Sequence, residues 1–180
     1  MKSRKKKYKF VLREPTKRDV KSMMSVDTQS FTHTSPKDRF IEHLPSGGTK
    51  NRSIVAIAMR KDGKEHSHRK LIGYMLFEIE DDHVYLAEIA VRKKWRSLGA
   101  GRKMIRWLMK KLPEYKRTQI KLFALNEDAG RLYRRLGFKG DSSMTFDLPI
   151  AACDTATTAE SPESTSADPQ TPPDGTTSAA

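Results

Sequence analysis

Residues 85–91 form a strand-length apolar run and residues 101–112 an amphipathic one. Between them lie Arg92, Lys93, Lys94, Trp95, Arg96, Ser97, Leu98, Gly99 and Ala100. This junction constrains the fold more than any other stretch, because it ties a strand to a helix through a turn rich in glycine and cations. Glycine lets the backbone adopt conformations closed to other residues and approach a ligand closely. The first N–H groups of the helix have no partner within it, and the helix dipole places partial positive charge at the same end. A diphosphate is the guest that such a turn suits. The plain alternative is a tight turn followed by a helix start.

A chain of 180 residues is long enough for one domain with a substantial core. All 35 Lys and Arg precede residue 151, against 17 of the 22 acids, so the first 150 residues carry +18 while the whole chain carries +13. Such an excess concentrates polyanions such as nucleotides, nucleic acid and the ribosome near the surface, without choosing among them. The single cysteine, Cys153, excludes an internal disulfide framework, and its place at the edge of a polar tail argues against a cysteine nucleophile. No apolar run approaches a membrane span, so the expectation is a cytoplasmic protein without a membrane contact.

Three regions are expected: a basic flexible arm at 1–7, a folded domain at 8–149, and an acidic Ser/Thr/Pro/Ala-rich tail at 150–180 too polar to order itself. The arm is a solvated end or a nucleic-acid contact. Alternation of Tyr8, Phe10 and Leu12 predicts a first strand. Thr16 with Asp19 predicts a helix start, continued by Val20, Met23, Met24 and Asp27. Pro36 is expected at the first position of a second helix that turns Phe40, Ile41 and Leu44 to one side.

Residues 45–50 contain Gly47, Gly48 and Lys50 but lack the order of a phosphate-binding loop, and no strand leads into them. Two strands at 54–59 and 71–79 flank a charged hairpin with His66 and His68; lacking a nearby third ligand, the pair is read as solvated and no metal is expected. A fourth strand at 83–91 completes an antiparallel meander. Met104, Ile105, Leu108 and Leu112 mark one face of the next helix, ended by Pro113. A fifth strand at 119–124, a short helix capped at Asn126 and stopped at Gly137, and two short strands complete the domain. Strand four, helix and strand five form a β-α-β crossover, so the sheet is mixed.

Arg96, Ser97, Leu98, Gly99, Ala100 and Gly101 resemble the Arg/Gln-x-x-Gly-x-Gly/Ala signature of the GNAT superfamily of acyl-CoA-dependent N-acyltransferases. The other pieces follow that superfamily's order: Ile89, Ala90 and Val91 before the turn, Asn126 after strand five, and then Leu132, Tyr133, Arg134, Arg135, Leu136, Gly137 and Phe138. The first and last pieces are most similar to the RimI-like branch, which acetylates protein N-termini. The resemblance implies an α/β (α+β) fold of a single domain. Its mixed, mostly antiparallel sheet would have about six to seven strands, splayed between the fourth and fifth and flanked by about four helices.

It also implies acetyl-CoA as co-substrate. The pantetheine arm would pair with backbone at Ile89, Ala90 and Val91. The diphosphate would sit on the N–H groups of Arg96, Ser97, Leu98, Gly99, Ala100 and Gly101, with charge added by Arg96 and Arg102. Asn126 would bond the pantetheine arm; its side chain has both donor and acceptor, so it can cap a helix as well.

Direct acetyl transfer to an amine poses two proton problems. The acceptor arrives protonated, near pKa 8 for an α-amino group or 10.4 for lysine, and the leaving thiolate benefits from a proton. Tyr133 matches the superfamily's tyrosine acid. Glu88, a carboxylate inside an apolar strand, is the candidate base acting through a water, with an ion pair to a neighbouring Lys or Arg as its alternative. RimI-like enzymes carry a glutamate where this chain has Lys121. The expected function is an N-acetyltransferase acting on a primary amine, more readily a protein N-terminal or lysine amine than a metabolite. The rival is a non-catalytic module of the same fold that binds nucleic acid or the ribosome through its basic surface.

Overall fold

The computed structural model describes residues 8–45, 50–60 and 69–147. The arm at 1–7, the tail at 150–180, the Gly47–Gly48 pair and the His66–His68 pair lie outside the described residues. Strand β1 (Tyr8–Arg13) leads through a 3-10 turn (Lys17–Asp19) into α1 (Val20–Asp27), followed by α2 (Lys37–Glu42). Strands β2 (Asn51–Arg60), β3 (Lys70–Ile79) and β4 (Val84–Val91) form the antiparallel meander. A 3-10 turn (Lys93–Trp95) precedes α3 (Ala100–Lys111), and β5 (Gln119–Phe123), α4 (Glu127–Arg134), β6 (Lys139–Gly140) and β7 (Ser143–Asp147) follow.

The entry to α1 is fixed locally. Asp19 Oδ2 accepts hydrogen bonds from Thr16 N at 2.8 Å and Thr16 Oγ1 at 2.9 Å, while Arg13 grips the same carboxylate with two nitrogens, each at 2.8 Å. Both expected helices form, with α2 starting one residue later than expected, at Lys37. Phe40 of α2 and Leu44, two residues past its end, are buried, but Ile41 is 39% exposed. The expectation that all three share a face is therefore corrected: the helix ends at Glu42, so Leu44 is placed by the turn that follows, and Ile41 stands about 100° round the helix from Phe40.

The seven strands run β1-β2-β3-β4-β5-β7-β6, and the β4–β5 pair is parallel. Along β2, Ile54, Ala56 and Ala58 join Met104, Ile105 and Leu108 of α3 in one core, whereas Val55 and Ile57 join Val20, Met23 and Val26 of α1 and Phe40 of α2 in another. With both faces covered, the central strands read as unbroken apolar runs rather than as alternating ones. Each of the large buried side chains contributes roughly 1.5–3 kcal/mol of transfer free energy.

Two irregularities place the site. Parallel pairing between β4 and β5 ends at Leu86 opposite Leu122. Beyond it Arg92 N donates to Ile72 O at 2.8 Å, keeping β4 with β3, while Ala124 N donates to Ser142 O at 2.7 Å, keeping β5 with β7. The sheet therefore splits. The second irregularity is a register shift between β3 and β4: Leu76 faces Glu88, but Glu78 faces Tyr85. One extra β4 residue is accommodated there, and such a bulge inverts which face the following side chains occupy. Val84 and Leu86 belong to the α3-side core, whereas Ala90, two residues beyond Glu88, belongs to the α1-side core. Among the described residues no helix is long and apolar enough to cross a membrane.

Candidate active site

The split encloses a cleft of about 910 Å³. Its walls include Glu88, Ile89, Ala90, Val91, Arg96, Ser97, Gly99, Ala100, Gly101, Arg102, Asn126 and Tyr133. Every residue expected at the site is therefore gathered here except Leu98. Its side chain is buried, 6% exposed, and the role expected of Leu98 is that of a backbone N–H.

One end of the cleft is made of backbone. Ser97 and Gly99 both have positive φ, 60° and 97°, and Gly99 stands at the N-cap of α3. A Cβ on Gly99 would meet nothing within 4 Å, so its left-handed backbone, not crowding, calls for glycine here. The 12-residue α3 has no acid in its first turn and no side-chain cap. Its leading N–H groups are thus open to an anion, with Arg96 and Arg102 beside them. This donor set fits a diphosphate. Arg96 Nε also donates to Val91 O at 2.9 Å, which pins the guanidinium over the end of β4. Ile89, Ala90 and Val91 pair with β3 on one side only, because β5 has departed on the other.

The other end is made of side chains. Tyr133, on α4, is 5% exposed and packs at 5.6 Å between ring centroids from Phe138. Burial pushes its phenol up to about 12, so it is protonated throughout the neutral range. Asn126 caps α4 by accepting Ala129 N–H at 2.9 Å through Oδ1, which leaves its amide N–H groups for another partner.

Glu88 reaches the cleft from the opposite face of the sheet, with its side chain 11% exposed. Its Oε2 accepts Ser35 Oγ–H at 3.0 Å, and its Oε1 accepts the Tyr74 hydroxyl. The charged partner weighed from sequence is present as Arg39, whose Nε stands 3.9 Å from Oε2, beyond hydrogen-bond distance. Burial, opposed by the Tyr74 hydrogen bond, raises the Glu88 carboxyl above its ordinary value. Lys121 does not line the cleft. Its Nζ lies 3.2 Å from Asp82 Oδ2, and Asp82, hydrogen-bonded first by His83 and then by Lys121, is lowered to about 2.

Sequence reasoning missed the partners of Glu88. Asp27 carried one signal, a carboxylate at a core-facing helical position, and Tyr74 another, a phenol inside a buried strand. Neither signal says that the two meet. Exposed Tyr85, Phe123 and Leu125 also line the cleft.

A mixed sheet split beside a helix whose N-terminus faces the gap defines an α/β domain built for an anionic coenzyme. The model of the acetyltransferase (GNAT) family matches residues 20–138, and the chain belongs to that family. It is a GNAT acetyltransferase, an enzyme class dependent on acetyl-CoA. No curated protein sequence matches it. Among solved structures, the fold is similar to that of the ribosomal-protein-S18-alanine N-acetyltransferase from Escherichia coli, with 17% identity, TM-score 0.62, and coverage of 79% of this chain and 94% of the other. It is also similar to Arabidopsis thaliana NAA60 in complex with acetyl-CoA, with 17% identity, TM-score 0.63 and coverage of 79% and 99%. The PaiA N-acetyltransferase from Thermoplasma acidophilum, in complex with coenzyme A, gives 13% identity, TM-score 0.60 and coverage of 76% and 96%.

Proposed function

We propose that the chain transfers the acetyl group of acetyl-CoA to a primary amine of a protein or peptide, N-terminal or lysine, by direct attack in a ternary complex. The observation that carries this reading is the joint presence, in one cleft, of an open helix start at one end and of Glu88 and Tyr133 from opposite sheet faces at the other. In this reading the coenzyme is held by the N–H groups at the start of α3, by Arg96 and Arg102, by the free edge of β4 and by Asn126. It supplies a thioester. Glu88 takes a proton from the acceptor ammonium, directly or through a water, and so frees the nitrogen lone pair. Tyr133 gives its proton to the departing sulfur and regains one from the acetylated nitrogen, so both side chains end the cycle as they began once Glu88 has released its proton to solvent.

Among the structures similar in fold, the one that acts on the alanine of ribosomal protein S18 supports a protein acceptor, and the nourseothricin acetyltransferase supports a small one. The test is release of free thiol from acetyl-CoA, with and without a mixed pool of peptides and polyamines. Release that requires a peptide amine supports the proposal. Release with polyamines alone redirects it to small amines, and a salt-sensitive nucleic-acid complex with no thiol release supports the non-catalytic reading.

A further inference from the structure

Glu88 does not stand alone. Asp27, at the end of α1, is 1% exposed. Its Oδ1 accepts the Tyr74 hydroxyl at 2.7 Å, and its Oδ2 accepts the backbone N–H of Ser35 at 2.8 Å. Tyr74 also contacts Glu88 Oε1, and the Ser35 hydroxyl donates to Glu88 Oε2. The four residues thus close a ring, Asp27–Tyr74–Glu88–Ser35, that joins α1, β3, β4 and the loop before α2. Each carboxylate uses both oxygens in it. Because a carboxylate oxygen has two lone pairs, Glu88 can still accept a proton from the cleft.

The ring contains a competition. A phenol has a single hydrogen, yet the Tyr74 oxygen lies within reach of two carboxylates, so its full donation to one leaves the other less satisfied. Burial first, and then Glu88 and Asp27, hold the phenol far above its ordinary value, which keeps it a donor. Among the described residues, the charged or titratable groups facing Glu88 are Asp27 from α1, Arg39 from α2 and Tyr74 from β3, while Lys121 of β5 is engaged by Asp82.

Resting on the assignment of Glu88 as base, we propose that Asp27, Tyr74 and Ser35 are positioning residues that hold the Glu88 carboxylate at the cleft and set how readily it takes the acceptor's proton. In that step one N–H bond of the acceptor ammonium breaks, one O–H bond forms on Glu88, and the proton leaves to solvent between turnovers. The two kinds of neighbour act in opposite directions. Asp27 adds negative charge and makes Glu88 hold a proton more tightly. Tyr74 and Ser35 stabilise the ionised carboxylate and make it hold one less tightly.

The experiment is a pH titration of side-chain carboxyl carbons by 13C NMR on the full chain, with the Glu88 resonance assigned by its loss in Glu88→Gln. It is paired with kcat/KM against pH for a peptide that has a free N-terminal alanine and one internal lysine. Asp27→Asn should lower the Glu88 midpoint and the acid limb of kcat/KM together, by about one pH unit. Tyr74→Phe and Ser35→Ala should raise both. Acetyl-CoA affinity by calorimetry should stay unchanged in all three, because the α3 end of the cleft is untouched. If Asp27→Asn fails to fold, Ser35→Ala still decides the matter, since it keeps the backbone bond to Asp27 and removes only the hydroxyl on Glu88. Unmoved midpoints in variants that fold, with Glu88→Gln inactive, overturn the ring while leaving the base assignment intact. A Glu88→Gln enzyme that keeps both activity and the acid limb overturns the base assignment and the ring's role with it.

Discussion

The two ends of the cleft are built from different materials. The α3 end is backbone: positive-φ residues Ser97 and Gly99, a helix start without acids, and the open edge of β4. The opposite end is side chain: Tyr133 from α4, and Glu88 held by Tyr74 of β3 and by Ser35 of the loop before α2. A backbone site depends on one local conformation and tolerates many side chains. A side-chain site depends on distant elements meeting at hydrogen-bond distance, so one altered atom changes its chemistry.

That contrast predicts separable defects. The largest belongs to Tyr133→Phe, which should lower kcat by roughly 10²–10⁴ while leaving the Kd of acetyl-CoA within about twofold. Rapid-quench and calorimetric measurements on the same preparation check it, and a fully active Phe variant removes the phenol from the mechanism. Since burial pushes this phenol up to about 12, the wild-type kcat should show no decline from its ionisation below about pH 11.

An intermediate defect is expected at the backbone end. Gly99→Ala forces a Cβ into a left-handed conformation, a penalty of about 1–2 kcal/mol. Acetyl-CoA should then bind about tenfold more weakly, with the pH limbs of kcat/KM where they were. A displaced acid limb would show that the two ends are coupled, and would break the contrast.

The smallest effect lies outside the cleft. Asp19→Ala should lower stability by about 1 kcal/mol through loss of the cap on the α1 entry, with kinetics unchanged. The Arg13 guanidinium, followed by the Thr16 donors and opposed by burial, lowers Asp19 to about 2. Its contribution is therefore present above the unfolded carboxylate value near 4 and is lost as pH falls through about 2. Urea unfolding of both proteins at neutral pH and near pH 2 should show the gap closing.

Local signals were legible because they are short in sequence. Gly99 before an amphipathic run, Thr16 with Asp19, and Asn126 before α4 each concern a few consecutive residues, and each is found where its spacing indicated. The meander and the crossover were readable for the same reason. Glu88 was identifiable as unusual, a carboxylate among apolar neighbours, but its side of the sheet was not. Strict alternation groups it with Leu86, and the bulge opposite Leu76 and Glu78 separates them.

By itself the sequence determined the succession of strands and helices, the anion-suited turn and the family, all of which follow from neighbouring residues and their periodicity. Tertiary structure alone decided that β4 and β5 part after Leu86, that Lys121 turns to Asp82, and that Asp27, Ser35 and Tyr74 close around Glu88. Those contacts join residues up to 53 positions apart. They form because the covered faces of one split sheet bring α1, the loop before α2, β3 and β4 to a common point, and no local pattern records such a meeting.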